Sequence, residues 1–434
     1  MDINSIISLS KKAKVFEDLY NIPWKLMKDT SLEKKHYHKL SVGLFNIPCG
    51  GFGDIIVCKT LYDYLQKWYP GLHVTICSSA PEKYSDLGIK DKILRLSLKD
   101  VKGTSPIECA DFNYLIMNQK KTFDIMIIVP IINKTFEIKK FQKLIPYANV
   151  FNTFTMSEYN GEFSPYTLPI GVGKGQLGIL LNDFPIKQQT LISKPYSLVY
   201  IQPSPSWGVH ARYCFYSYLE MICKKYSGRY SRFQMIIPEW ISNDLNENNT
   251  FYYKVRKIIL SSYENIDIIY SETEKESLVE GKGTSRFTFR ADILPQKRDI
   301  FISLMKDSIP DILVTGDQSI TDVISCCKGF KKIWYQIAPW KQGLAYHLSK
   351  ELPNDSYESF KTSCGTLRTI KQTPEWSRFI KENDFRIYGR KRIDQLLLSS
   401  ILLKKNKSVF GELLDIIERS RYLETAQKKI DELK

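Results

Sequence analysis

The chain has 434 residues, 43% of them hydrophobic, with 62 Lys and Arg against 47 Asp and Glu for a formal net charge of +15. A single core stops growing below this length, so two domains with appendages are expected, and the near-average hydrophobic share excludes extensive disorder. No apolar run reaches the roughly 20 residues that a membrane-spanning helix needs.

Residues 1–40 contain no glycine and no strand pattern, and read as an N-terminal helical extension. Residues 41–47 are a strand-like apolar run that ends in Pro48-Cys49-Gly50-Gly51-Phe52-Gly53-Asp54, and Cys58, Leu61, Leu65 and Trp68 then fall on one helical stripe. Pro70-Gly71 stops that helix and 73–77 supplies a second strand, completing a βαβ unit. Strands at 93–98, 123–130 and 149–154 and a helix at 136–144 follow. Apolar strands alternating with helices imply a parallel sheet covered on both faces, so 41–190 is expected to be a Rossmann-like domain. Residues 155–195 break the rhythm and a strand at 196–202 restarts it. Helices at 213–225, 252–261, 297–306, 319–327 and 342–349 alternate with strands at 233–238, 266–270, 286–289, 312–315 and 332–337. This gives a second Rossmann-like domain over 191–350, and 351–434 reads as helical. The expected fold class is α/β, two Rossmann-like domains with helices appended at both ends.

Chemistry concentrates where strands hand over to helices. Asp54 closes a glycine loop at the carboxyl edge of the first sheet, where open α/β folds bind ligands, and is a candidate general base; it is equally the acidic residue that a positive helix end favours. Thr315-Gly316-Asp317-Gln318-Ser319 opens a helix whose N–H groups suit a diphosphate, with Asp317 or Gln318 suited to ribose or sugar hydroxyls. Ser319 and Asp322 have capping-box spacing, which by itself accounts for those two residues. Ser204 and Ser206, in the proline-rich loop after the first strand of the second domain, suit phosphate oxygens together with Arg212, although such a connector needs no ligand. Lys341 neutralises a phosphate or is an exposed lysine at a helix start. Gly173-Lys174-Gly175-Gln176-Leu177-Gly178 matches GxGxxG without a preceding strand, so it reads as a loop and not as a dinucleotide site. Among the histidines only His210, beside Arg212, invites a test.

The nine cysteines form no CxxC pair and have no histidine at ligand spacing, so reduced thiols and no metal site are expected. The positive charge suits an anionic partner such as a nucleotide. Arg390-Lys391-Arg392 and Lys404-Lys405 lack the interleaved aromatics of a base-stacking surface, which makes nucleic acid the weaker choice. Met1-Asp2-Ile3-Asn4 lacks the basic start of a secretory leader, so a cytoplasmic site is expected, with export into a host cell as the alternative.

Gly53-Asp54-Ile55-Ile56-Val57-Cys58, Leu294-Pro295-Gln296 with Asp299, Gly316-Asp317-Gln318-Ser319 and Ile337-Ala338-Pro339 together resemble the arginine rhamnosyltransferases of bacterial elongation factor P. More distantly, the opening of the chain resembles the lipopolysaccharide heptosyltransferases, and both are glycosyltransferases of the two-Rossmann-domain (GT-B) architecture. Gly50 stands where the first family has a further aspartate, Thr315 where it has an arginine, and Asp317-Gln318 where it has a Glu-Asp pair. The resemblance implies an inverting, metal-independent transfer from a nucleotide diphosphate sugar to an acceptor such as a protein side chain, with no other cofactor. Carried over by position, it makes Asp54 the base and Asp317 and Ser319 donor ligands; Gly53, Ser204, Ser206, Arg212, Gly316, Gln318 and Lys341 join them as donor-binding candidates from their own place in the sequence. A sugar-nucleotide epimerase on the same fold and a non-catalytic module that binds through its basic surface are the rival expectations.

Overall fold

The computed structural model describes residues 38–48, 52–89, 93–98, 115–116, 122–131, 153–161, 167–182, 191–203, 208–327, 331–337, 342–352, 357–362, 365–371 and 376–405. Residues 1–37 of the expected extension and the expected helix at 136–144 lie outside them. The chain forms two compact units, Met1–Leu180 with Asp384–Lys434, and Leu181–Asn383.

In the first unit β1 (Ser41–Asn46) leads into α1 (Gly53–Trp68) and β2 (His73–Ser78). Strand β1 is buried along almost its whole length, as a strand covered on both faces must be. The expected stripe holds, with Cys58, Leu61 and Leu65 at 1% exposure or less. Gly43 lets the strand pass under an aromatic ring, because a Cβ there would lie 2.8 Å from Phe123. Then come α2 (Glu82–Asp86), β3 (Leu94–Arg95), β4 (Ser97–Leu98), β5 (Leu115–Ile116), β6 (Ile125–Ile131), β7 (Thr153–Ser157) and β8 (Thr167–Leu168). The single strand expected at 93–98 is two: β3 joins the main sheet, whereas β4 turns away to pair antiparallel with β5. The main sheet has six parallel strands in the order β3-β2-β1-β6-β7-β8.

The second unit runs β9 (Tyr196–Tyr200), α3 (Gly208–Tyr226), β10 (Arg232–Ile236), α4 (Glu239–Glu247), α5 (Asn249–Leu260), β11 (Asn265–Ile269), β12 (Lys275–Val279), β13 (Arg286–Arg290), α6 (Arg298–Asp307), β14 (Asp311–Thr315), α7 (Asp317–Cys326), β15 (Lys332–Gln336) and α8 (Gln342–Glu351). Its nine-stranded sheet has the order β12-β11-β13-β10-β9-β14-β15-β17-β16, in which β16 (Tyr357–Thr362) and β17 (Gly365–Lys371) form an antiparallel hairpin on β15. That hairpin corrects the all-helical reading of 351–434. Its two strands are rich in aromatic and β-branched residues, with Tyr357, Phe360 and Thr362 in one and Thr366, Thr369 and Ile370 in the other, types that favour a pleated sheet. Helices α9 (Trp376–Glu382) and α10 (Phe385–Lys405) follow. The latter belongs to the first unit, where Phe385 stacks with Tyr64 and Trp68 and Asp394 accepts a 2.9 Å hydrogen bond from the Tyr69 hydroxyl. Both units are thus mixed α/β with parallel sheets, as expected. No described helix is long and apolar enough to cross a membrane.

Two buried charges fix the second core. Asp311, fully buried, accepts hydrogen bonds from Lys225 Nζ (2.6 Å), the Tyr226 hydroxyl (2.5 Å) and Trp334 Nε1 (2.8 Å). Lys331, 6% exposed, spends its ammonium on Ser308 O (2.6 Å), Ser308 Oγ (2.9 Å) and Ile309 O (3.0 Å), clamping the turn between α6 and β14. Burial still lowers the lysine to about 8, since those acceptors only partly replace water.

Candidate functional site

In each sheet the strand order reverses about the first strand of the unit: between β1 and β6 in one, between β9 and β14 in the other. Open α/β sheets bind ligands outside the carboxyl ends of the strands at such a point. The segments that lead to Asp54 and to Gly316-Asp317-Gln318 leave β1 and β14 at those two places.

At the first switch point Asp54 is half-buried in the first turn of α1. Behind it stands Asn46, the last residue of β1 and 1% exposed. Its Nδ2 donates to Val129 O on β6 (2.8 Å) and more weakly to Asp54 O (3.4 Å); its Oδ1 accepts from the Tyr84 hydroxyl (2.7 Å) and Ser78 Oγ (3.4 Å). One amide therefore ties both sides of the switch point to the start of α1. Burial, reinforced by Cys58 and Asp54, pushes Tyr84 well above the ordinary range, so its hydroxyl keeps its proton for this network; burial also pushes the Cys58 thiol up to about 12. Sequence reasoning missed Asn46, Ser78 and Tyr84. An asparagine that closes an apolar strand was the one available signal.

At the second switch point Gly316 adopts φ 79 and ψ 147, a conformation natural only to glycine, and as the N-cap of α7 it makes no side-chain cap hydrogen bond. Asp317 is 6% exposed and accepts from the Tyr335 hydroxyl at 3.3 Å. Gln318 is 7% exposed, and its Nε2 donates to Asp322 Oδ1 at 3.0 Å. The same oxygen accepts from Arg298 Nη2 (2.6 Å) and Asn182 Nδ2 (2.5 Å). Burial raises the Asp322 carboxyl above the usual carboxylate range against the opposing pull of Arg298.

This geometry corrects the capping box. The helix begins two residues before Ser319, which becomes its third residue, and Asp322 turns inward because a buried carboxylate requires a charged partner, here Arg298. The ends of β9, β14 and β15 are laced together by Gln336, whose amide exchanges hydrogen bonds with Gln202 N and O, both at 3.3 Å, while Thr315 Oγ1 donates to Gln336 O at 3.2 Å.

The other expected residues fare differently. Gly53 is the exposed first residue of α1. Arg212 grips Asp244 through Nε (2.7 Å) and Nη2 (2.9 Å), so its charge is already matched inside the unit. His210 lies near Cys214 Sγ at 3.8 Å. Ser204, Ser206 and Lys341 lie outside the described residues. The 173–178 segment is a closed turn: Gly171 and Gly178 bridge, Gly173, Gly175 and Gly178 have positive φ, and Asn160 clasps Val172 N and O at 3.0 and 2.8 Å. It opens no helix. The described cysteines, Cys58, Cys77, Cys214, Cys223, Cys326 and Cys327, are all buried.

No protein-family model and no curated protein sequence matches this chain. Among solved structures it is similar to a glycosyltransferase from Rickettsia africae, at 12% identity and a TM-score of 0.39, over 86% of this chain and 98% of the other. It is similar to the E. coli heptosyltransferase WaaC with ADP-2-deoxy-2-fluoro heptose, at 9% identity and a TM-score of 0.32, over 72% and 98% of the two chains. It is also similar to an alpha-glucosyltransferase in complex with UDP and DNA, at 13% identity and a TM-score of 0.32, over 87% and 100%.

Proposed function

We propose that this chain is a glycosyltransferase that moves a sugar from a nucleotide diphosphate sugar to an acceptor. The observation that carries this reading is the buried polar cluster at the N-terminus of α7, set where the strand order of its sheet reverses. A helix start of that kind offers N–H groups and a positive dipole end to a diphosphate. The donor lies there against Gly316, Asp317, Gln318 and Ser319, with Ser204, Ser206 and Lys341 as the further donor-binding candidates. Arg212 is already matched by Asp244, so Lys341 carries the cationic part.

In the reaction the nucleophilic atom of the acceptor attacks the anomeric carbon and Asp54, beside Gly53, takes its proton. The bond to the diphosphate breaks with its electron pair on the phosphate oxygen, and the helix N–H groups stabilise that charge without a metal ion. One such displacement inverts the anomeric configuration. The acceptor class that fits the resemblance is a protein side chain.

The test is thermal stabilisation of the protein by UDP-glucose, GDP-mannose, dTDP-rhamnose and ADP-glucose, together with release of the nucleoside diphosphate. One donor is expected to stabilise the wild type and to do so less in Asp317→Asn. Asp54→Asn should keep binding while turnover falls about 100-fold or more. Stabilisation by none of the donors rejects the transferase, and isomerised sugar without transfer replaces it with the epimerase.

A further inference from the structure

We infer that Gln318 reads a hydroxyl group of the bound donor, accepting its proton at Oε1, and takes no part in holding phosphate. This rests on the donor site proposed above. A side-chain amide has one donating and one accepting branch. The donating branch of Gln318 is committed to Asp322 Oδ1 at 3.0 Å, an oxygen that also receives Arg298 Nη2 at 2.6 Å and Asn182 Nδ2 at 2.5 Å. Rotating the amide would set Oε1 against that carboxylate oxygen, lone pair against lone pair. The network therefore fixes the orientation, and the accepting branch is turned away from Asp322 at the first turn of α7.

That accepting oxygen is buried and finds no hydrogen-bond partner among the described residues, in a side chain more than nine-tenths buried. An unfilled buried acceptor costs on the order of 1–3 kcal/mol, which a ligand recovers by donating to it. At neutral pH a diphosphate ester presents no proton in this position. An O–H of the ribose or of the transferred sugar does, and both flank the diphosphate that the same helix turn would hold. The relay Arg298–Asp322–Gln318 thus presents an acceptor beside N–H groups that only donate, and the two halves of the site sort hydroxyl from phosphate.

The experiment is calorimetric binding of UDP-glucose, GDP-mannose and ADP-glucose, of the diphosphates UDP, GDP and ADP with their 2′-deoxy forms, and of inorganic pyrophosphate, to wild type and to Gln318→Met, a near-isosteric side chain without the acceptor. Gln318→Met should bind the preferred nucleotide sugar about tenfold more weakly, as the loss of one hydrogen bond to a buried acceptor requires, with pyrophosphate binding changed less than twofold. If the hydroxyl is the ribose 2′-OH, the wild type also loses about tenfold for the 2′-deoxy nucleotide and the variant shows no such preference. If it belongs to the sugar, the loss appears with the nucleotide sugar and not with the free diphosphate. The wild-type comparison of ribo with deoxy and of sugar with free diphosphate stands even if the variant does not fold. Equal nucleotide-sugar affinity in wild type and Gln318→Met overturns the inference and leaves Oε1 to a buried water, with the donor site intact. An equal loss for pyrophosphate also overturns it. Binding of none of the nucleotides to the wild type removes the donor site itself, and the inference with it.

Discussion

The two switch points solve one positional problem with opposite chemistry. At the first, Asn46, Ser78 and Tyr84 make a buried network of uncharged groups in which the asparagine amide uses both of its branches. At the second, Asp317, Asp322 and Arg298 bring charge into the interior and Gln318 keeps one acceptor unmatched. The contrast extends beyond the loops. Asp384 aside, the buried polar side chains described in the first unit are uncharged, whereas the second also buries Asp267, Asp311 and Lys331. A neutral, satisfied network holds a backbone in place; a charged and partly satisfied one stores free energy that a ligand can release. Under the proposed transfer, the first arrangement suits a loop that presents one carboxylate, Asp54, and the second suits a loop that recognises the donor.

The largest effect that tests this contrast is the removal of one partner from each network. Asp322→Ala leaves Arg298 buried without its 2.6 Å partner and should cost about 3–5 kcal/mol in urea unfolding. Asn46→Ala removes one hydrogen bond each from Val129 O and the Tyr84 hydroxyl, both neutral, and should cost about 1–3 kcal/mol. Equal costs would mean that charge is not what separates the two sites.

These partners explain how far the sequence could be read. The handover from β1 to α1 was legible because its signals are local: an apolar run, glycines, and a stripe at helical spacing. The hydrogen-bond partners were not, since Asn46 meets residues 32 and 38 positions on, and Asp322 meets Asn182 across 140. Asp322 looked like a capping residue because local spacing is blind to an arginine on another helix. The edge strand β12 also went unread, because its three exposed residues, Lys275, Glu276 and Ser277, give it the polarity that sheet edges use against further pairing. The β16–β17 hairpin hid behind a link, Ser363-Cys364, that has none of the usual two-residue turn chemistry.

Lys331 gives a pH-dependent form of the same contrast. In the folded chain burial lowers it to about 8 from an ordinary 10.5. Below about pH 8 it is protonated in both states. Between there and 10.5 the unfolded chain holds a proton that the folded chain has released, so stability from this group rises with pH, is complete above 10.5, and is lost as pH falls through about 8. The size is about 3 kcal/mol. The unfolding free energy of wild type minus that of Lys331→Met, followed from pH 7 to pH 10, should therefore climb; a flat difference would show that its three acceptors hold the ammonium as well as water does.

The smallest effects come from the glycines of the two loops, and they separate backbone strain from access for a ligand. A Cβ added at Gly316 or at Gly53 meets nothing within 4 Å, so neither substitution clashes with the protein. Gly316 nonetheless has φ 79, and Gly316→Ala should cost about 1–3 kcal/mol through strain alone. Gly53 is helical with an ordinary φ, and Gly53→Ala should change stability by less than about 1 kcal/mol. If turnover nevertheless falls in Gly53→Ala while its melting temperature holds, the missing Cβ was leaving room for substrate beside Asp54. If turnover is unchanged, Asp54 needs no close approach of the backbone at Gly53.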